Sequence, residues 1–228
     1  MSTSVHTMKS PRTYYLKATE LIPNSHFPLL HYSNVLTGCD GSDAGQAYNL
    51  FSDNKWLVHW IFRYGPTQRS HYHSRSHECM AVLTGNATIR FGVADTSSDL
   101  DENTYGSWWE NGGIELQASA GDVFVIPAGV AHKTYDTTPA DFALLTPGSG
   151  HGIEAEDERK AISDIKLSGF TMLGAYPEGS SWDFVEGTTE HSQWDRTWSV
   201  PKPPNDPVLG QASEGLCGLW KEESRLKL

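Results

Sequence analysis

From Leu57 to Pro177 the chain is a succession of short β-branched and aromatic runs, each cut off by Gly or Pro. LVHWIF between Leu57 and Phe62 stops at Gly65-Pro66. ECMAVLT (Glu78 to Thr84) and ATIRFG (Ala87 to Gly92) flank Gly85-Asn86, and IELQ, DVFVIP, FALLT and TMLGAYP begin at Ile114, Asp122, Phe142 and Thr171. Runs of this size and composition form strands. The Gly85-Asn86 step is a turn signal that predicts a hairpin between the two runs it joins. A chain built this way buries its apolar side chains by packing sheet against sheet, so the expected class is all-β. The 8 Trp, 9 Tyr, 8 Phe, 21 Gly and 12 Pro agree with a turn-rich sheet protein.

Other segments read differently. IEAEDERKAISDIK, from Ile153 to Lys166, carries Ile153, Ala161, Ile162 and Ile165 at helical spacing and predicts a helix. Its Glu154, Glu156, Asp157 and Glu158 form the solvated face. Val93 to Asn111 is polar and predicts a long loop, a lid or an interface, in which Trp108-Trp109 is costly to leave in water. The first 50 residues, broken by Pro11, Pro23 and Pro28, look irregular. Beyond Trp182 the tail is rich in Pro and Trp and wraps the rest. At 228 residues a single domain spanning 1–228 is expected, with a barrel core about 50–180, an N-terminal arm 1–50 and a C-terminal tail 180–228.

The 28 acidic residues outnumber the 17 basic ones, a net charge of −11 that repels phosphate backbones and anionic lipid. Nucleic acid and membrane are therefore not expected as partners. MSTSVHTMKS lacks the apolar run of a secretory signal, which predicts a cytoplasmic location. Cys39, Cys79 and Cys217 make no metal-binding or disulfide spacing and read as free thiols. There is no nucleophile elbow, P-loop or dinucleotide fingerprint.

The chemistry-bearing residues sit in two stretches. In GPTQRSHYHSRSHECMAVLTG, from Gly65 to Gly85, His71 and His73 are two apart, so on a strand they share a face. Glu78 opens the next run. In GDVFVIPAGVAHKTYD, from Gly121 to Asp136, His132 follows a turn shaped by Pro127 and Gly129. Three imidazoles and a carboxylate suit Fe, Mn, Ni, Co, Cu or Zn. His77 precedes Glu78, so alternation sends it to the opposite face, as a supporting donor or a surface residue. His59 reads as a core histidine that could reach the interior. His6, His26, His31, His151 and His191 read as solvated.

These two stretches resemble the paired motifs of the cupin superfamily. Gly65, His71, His73, Glu78 and Gly85 satisfy every position of the first motif. Gly121, Pro127, Gly129 and His132 satisfy the second, in which Asp136 stands where Asn is usual. More narrowly, IPNSHFPLLHY, HYHSRSHE, PAGVAHK, GAYPEGSSWD and PKPPNDPVLG resemble the YjlB-like branch. The resemblance implies one double-stranded β-helix (jelly-roll) barrel with a few peripheral helices. It implies one divalent transition metal near the barrel mouth, held by His71, His73, Glu78 and His132, and a possible homodimer. Tyr176 and Trp182, in the GAYP stretch and just beyond, either pack over the mouth or plug its side. The expected function is a metal-dependent enzyme acting on a small enol, phenolic or carboxylate-bearing substrate. Oxygenase chemistry is preferred, and Glu78 is a candidate base. The alternatives are a redox-silent isomerase, lyase or cyclase, or a non-catalytic binding protein.

Overall fold

The computed structural model describes residues 10–36, 44–138 and 141–221; His6 and Cys39 lie outside them. Along the chain run β1 (Arg12–Tyr14), β2 (Leu29–Tyr32), α1 (Ala44–Asp53), β3 (Trp56–Arg63), β4 (Glu78–Thr84) and β5 (Asn86–Phe91). They are followed by α2 (Leu100–Thr104), β6 (Ile114–Ser119), β7 (Val123–Ile126), β8 (His132–Tyr135) and β9 (Ala143–Leu144). Last come α3 (Glu158–Ser163), β10 (Thr171–Pro177), α4 (Trp194–Trp198) and α5 (Leu216–Leu219). Seven strands form one sheet in the order β1-β2-β7-β4-β10-β3-β9, and three form another in the order β6-β5-β8. All pairs are antiparallel, and the architecture is an all-β jelly roll.

Strand alternation explains where the cores lie. On β4, Met80 and Val82 face inward while Cys79, Ala81 and Leu83 face outward. On β7 the inward pair is Phe124 and Ile126, and the outward pair is Val123 and Val125. The inward residues meet Ala87, Ile89, Phe91 and Ala118 of the smaller sheet. The outward ones are covered by Phe27, Phe51 of α1, Ile162 of α3, Leu216 of α5 and Trp220. The large sheet is thus buried on both faces, which is why its strands read as nearly continuous apolar runs.

The predicted hairpin at Gly85 is not formed. β4 pairs with β7 and β10, whereas β5 pairs with β6 and β8. Gly85 is the corner at which the chain leaves one sheet for the other. Its φ is 78°, and a Cβ there would lie 2.6 Å from the Gly169 carbonyl oxygen, so the corner requires glycine.

Four other expectations change. The stretch before residue 50 is not irregular throughout: β2 pairs with β7 inside the large sheet, and α1 covers the outer face. The helix predicted from Ile153 begins only at Glu158, because the Asp157 carboxylate accepts the Lys160 N–H and caps it there. It ends at Ser163. The polar loop after Val93 contains α2, capped by Asp99, and Trp109 lies 3.8 Å from the Arg90 guanidinium. FALLT contributes only the two residues of β9.

The tail wraps as expected. Trp220 is fully buried, stacks on Phe27 at 5.0 Å and donates its indole N–H to the Pro28 carbonyl. Asp206, also fully buried, accepts from the N–H groups of Val208, Leu209 and Leu216 and from the Tyr32 hydroxyl. Cys79 is a buried free thiol and Cys217 a partly exposed one. Among the described residues no helix is long and apolar enough to cross a membrane.

Candidate metal centre

Glu78 opens β4 on its inward face, in line with Met80 and Val82. His132 opens β8, beside Phe91 of β5. His71 pairs with His132 in a two-bond antiparallel bridge, His71 N to His132 O at 3.2 Å and His132 N to His71 O at 2.8 Å. Alternation then brings His73 to the same side, and the Gly129 N–H holds the His73 carbonyl at 2.9 Å. Gly129, with φ 89°, supplies the turn that makes this contact possible. The three imidazoles converge, each offering one nitrogen within 4.8 Å of the others. The Glu78 carboxylate adjoins two of them, with Oε1 3.1 Å from His73 Nε2 and Oε2 3.2 Å from His132 Nε2. All four side chains are buried.

Backbone carbonyls set the tautomers. Nδ1 of His71 faces the Arg69 carbonyl at 3.1 Å, that of His132 faces the Val130 carbonyl at 3.4 Å, and that of His73 faces the Asp183 carbonyl. A carbonyl only accepts, so each Nδ1 carries the hydrogen and each neutral ring keeps its lone pair on Nε2. Burial holds His71 well below the usual imidazole range, and the neighbouring His132 and His73 add to it. Burial likewise takes His132 down to about 4. Burial also opposes charge on His73, but Glu78 outweighs it and the net shift is upward. Burial alone would raise Glu78. The charges of His73 and His132, with hydrogen bonds from His73 and Tyr176, instead hold it down at about 2, so it is a carboxylate.

This donor set fits a divalent transition metal. Glu78 Oε2 is buried without a hydrogen-bond donor and lies 3.2 Å from His132 Nε2. Imidazole nitrogen and carboxylate oxygen are the donors such ions take.

The remaining sequence candidates divide. Tyr176 is at the site: its ring is fully buried and its hydroxyl donates to Glu78 Oε1. Trp182 packs 5.9 Å from His73 and 6.5 Å from Tyr176, with its indole N–H on the Gly150 carbonyl. His59 packs against Tyr176 at 5.0 Å, and burial together with His151 lowers its pKa. His77 faces away from the triad, as alternation predicted. Its Nδ1 accepts the Ala128 N–H and its Nε2 donates to the Pro201 carbonyl, which ties the second motif to the tail. Burial holds it at about 4.

His31 was expected to be solvated. It is buried on β2, stacked on Phe124 and 3.4 Å from Asp122, because its strand lies inside the large sheet. His26, His151 and His191 are exposed, and His151 stacks on Trp182.

Three residues escaped the sequence reading. The Phe184 ring stacks on His71 at 3.9 Å, and Trp60 donates to Tyr176. Asp183 holds His73 through its carbonyl. Trp60 and Phe184 looked like ordinary apolar residues, and a backbone carbonyl has no sequence signature at all.

A profile of the family described as Cupin matches residues 67–149, which include His71, His73, Glu78 and His132. Uncharacterized protein YjlB of Bacillus subtilis (strain 168) is 27% identical over 218 residues, covering 93% of this chain and 98% of that one. Both findings support a YjlB-like cupin. Among solved structures, this chain is similar to RmlC from Streptococcus suis in complex with dTDP-D-xylose, at 10% identity and TM-score 0.34, over 75% of this chain and 72% of that one. It is also similar to the QdtA 3,4-ketoisomerase from Thermoanaerobacterium thermosaccharolyticum, at 13% identity and TM-score 0.32, over 60% and 67%. The match to procruciferin, an 11S globulin from Brassica napus, has 9% identity and TM-score 0.27. It takes in 53% of this chain and 20% of that one, so this chain spans about a fifth of the globulin's length.

Proposed function

We propose that this cupin is a metal-dependent enzyme acting on a small organic molecule that presents an enol, phenol or carboxylate oxygen. The observation that carries the reading is the set of three buried imidazoles, each with Nδ1–H on a backbone carbonyl, beside an ionised Glu78. His71, His73, His132 and Glu78 would hold the ion. When bound, a divalent transition metal supplies a positive centre for a substrate oxygen and, if redox-active, electrons for dioxygen chemistry.

The chain's own residues then divide the work. Glu78 Oε2 is a carboxylate oxygen with no hydrogen-bond donor of its own, and on loosening from the ion it would accept a substrate proton. Tyr176 holds the other oxygen. Phe184 covers His71 and limits water, while Trp182 and Tyr176 present aromatic faces beside His73. We take dioxygen-dependent oxidation as the leading reaction class. The contact between Tyr176 and Glu78, a phenol hydroxyl donating to a carboxylate, favours a second class, a redox-silent isomerase, lyase or cyclase.

The test is elemental analysis of anaerobically purified wild type beside His132→Ala. About one equivalent of iron, lost in the variant, supports the oxygenase and calls for oxygen-uptake assays with phenolic and enolic substrates. About one equivalent of zinc moves the reading to the second class. No metal in either protein, even after reconstitution, sinks the metal-dependent enzyme and leaves a non-catalytic binding protein.

A further inference from the structure

Trp60 and Gly174 face each other in the register between β3 and β10, two residues from Tyr176. A Cβ at Gly174 would lie 2.0 Å from Cε2 and 2.5 Å from Nε1 of Trp60, so the indole lies across bare backbone that only glycine leaves open. From there the indole N–H donates to the Tyr176 hydroxyl oxygen at 2.9 Å. An indole nitrogen only donates, so the phenol oxygen is the acceptor and its single hydrogen must go elsewhere. It goes to Glu78 Oε1, the acceptor within reach on the other side of the phenol. Tyr176 Oη is also 3.4 Å from His73 Nε2, which leaves the phenol no freedom to swing away. The opposite oxygen, Oε2, has no donor and stands 3.2 Å from His132 Nε2.

We propose that Gly174, Trp60 and Tyr176 form a positioning device that commits Oε1 of Glu78 to the protein and reserves Oε2 for the metal. Glu78 is then a one-oxygen ligand. Tyr176 is a positioning residue acting through Glu78, and Gly174 takes part by leaving space. This inference rests on the metal-centre reading above and adds to it how the carboxylate is divided.

The test uses Co(II) alone as the probe, titrated into metal-free full-length protein against a chromophoric chelator, with the visible Co(II) spectrum recorded at each point. Wild type is compared with Tyr176→Phe, which keeps the ring and removes only the hydroxyl. Trp60→Phe removes the donor to Tyr176. Thermal melts establish that each variant is folded. Tyr176→Phe is expected to bind Co(II) about 10- to 100-fold more weakly, the range for losing a partner of a metal ligand. Its spectrum should change in band intensity as both carboxylate oxygens become free to bind. Trp60→Phe should move both readouts in the same direction by less, and it carries the test if Tyr176→Phe does not fold. Wild-type affinity and spectrum in a folded Tyr176→Phe protein would overturn the proposal and leave the metal centre standing. Weaker binding with an unchanged spectrum would also overturn it, since a merely structural role predicts that result. A wild type that binds no Co(II) defeats the metal-centre reading itself.

Discussion

Asp183 holds His73 from the far side of the sequence. Its backbone carbonyl takes the Nδ1 hydrogen of His73 across 110 positions, while its carboxylate accepts from Ser74 N at 2.7 Å and Ser74 Oγ at 2.6 Å. Beside it, Tyr72 and Val185 exchange two backbone hydrogen bonds. The segment from Trp182 to Val185 therefore lies as a strap against the His-x-His segment, and one imidazole owes its orientation to it.

Replacing Asp183 by Ala leaves the carbonyl in place and removes the carboxylate that anchors it. Stability should fall by about 1–3 kcal/mol for the lost charge-assisted bonds to a partly exposed partner. Metal affinity should fall about tenfold as His73 loosens. Denaturant unfolding and a metal titration measure the two, and unchanged affinity would show that the strap does not position His73.

Phe184 is half exposed yet lies flat on His71, with ring planes 12° apart. Phe184→Ala should leave the unfolding midpoint nearly unchanged, because an exposed ring contributes little burial. Metal release to an excess of chelator should accelerate several-fold, by our order-of-magnitude expectation for opening one face of a buried site. Stopped-flow absorbance with a chromophoric chelator reads this directly.

Glu78→Gln separates the two roles assigned to that residue. The amide keeps the shape and an acceptor oxygen but cannot take a proton at neutral pH. Turnover should disappear while metal binding partly survives. Equal loss of both, measured by metal content beside activity, would argue against a separate base role.

Asp122 provides a pH signature away from the candidate metal centre. Burial alone would raise its pKa, but hydrogen bonds from His31, Asn34 and Ser119 hold it below the usual carboxylate range. A lowered folded-state value contributes stability that is present above the unfolded value of about 3.9. That contribution fades as pH falls through the lowered value. Asp122→Asn should therefore be less stable than wild type near neutrality, with the gap closing below about pH 4. Unfolding curves at a series of pH values decide it, and a gap that persists in acid would mean that shape and not charge is at stake.

Trp220→Ala should cost about 3–5 kcal/mol, since it removes a fully buried indole, its stack on Phe27 and its bond to the Pro28 carbonyl. Equilibrium unfolding measures the loss. A cost below about 1 kcal/mol would mean the tail's end is not part of the cooperative fold.

Much of the site was legible because its signals are local. The two-residue period of a strand puts His71 and His73 on one side and His77 opposite Glu78, and the structure keeps both relations. Sequence reasoning failed at Gly85, where a turn signal was read as a hairpin. A glycine with φ 78° serves a corner between sheets as well as a turn within one. It failed again at His31, whose strand seemed too broken by proline to enter a sheet.

By itself the sequence determined the all-β class, the shared face of His71 and His73, and the opposed faces of His77 and Glu78. Each follows from residue type and spacing along one stretch of backbone, where geometry is covalent. The tertiary structure alone decided which strand edges pair, which carbonyl holds each imidazole, and that Gly174 makes room for Trp60 to reach Tyr176 and through it Glu78. Those contacts join positions up to 116 residues apart. They are set by how whole sheets pack, and backbone carbonyls and empty space leave no mark in the order of side chains.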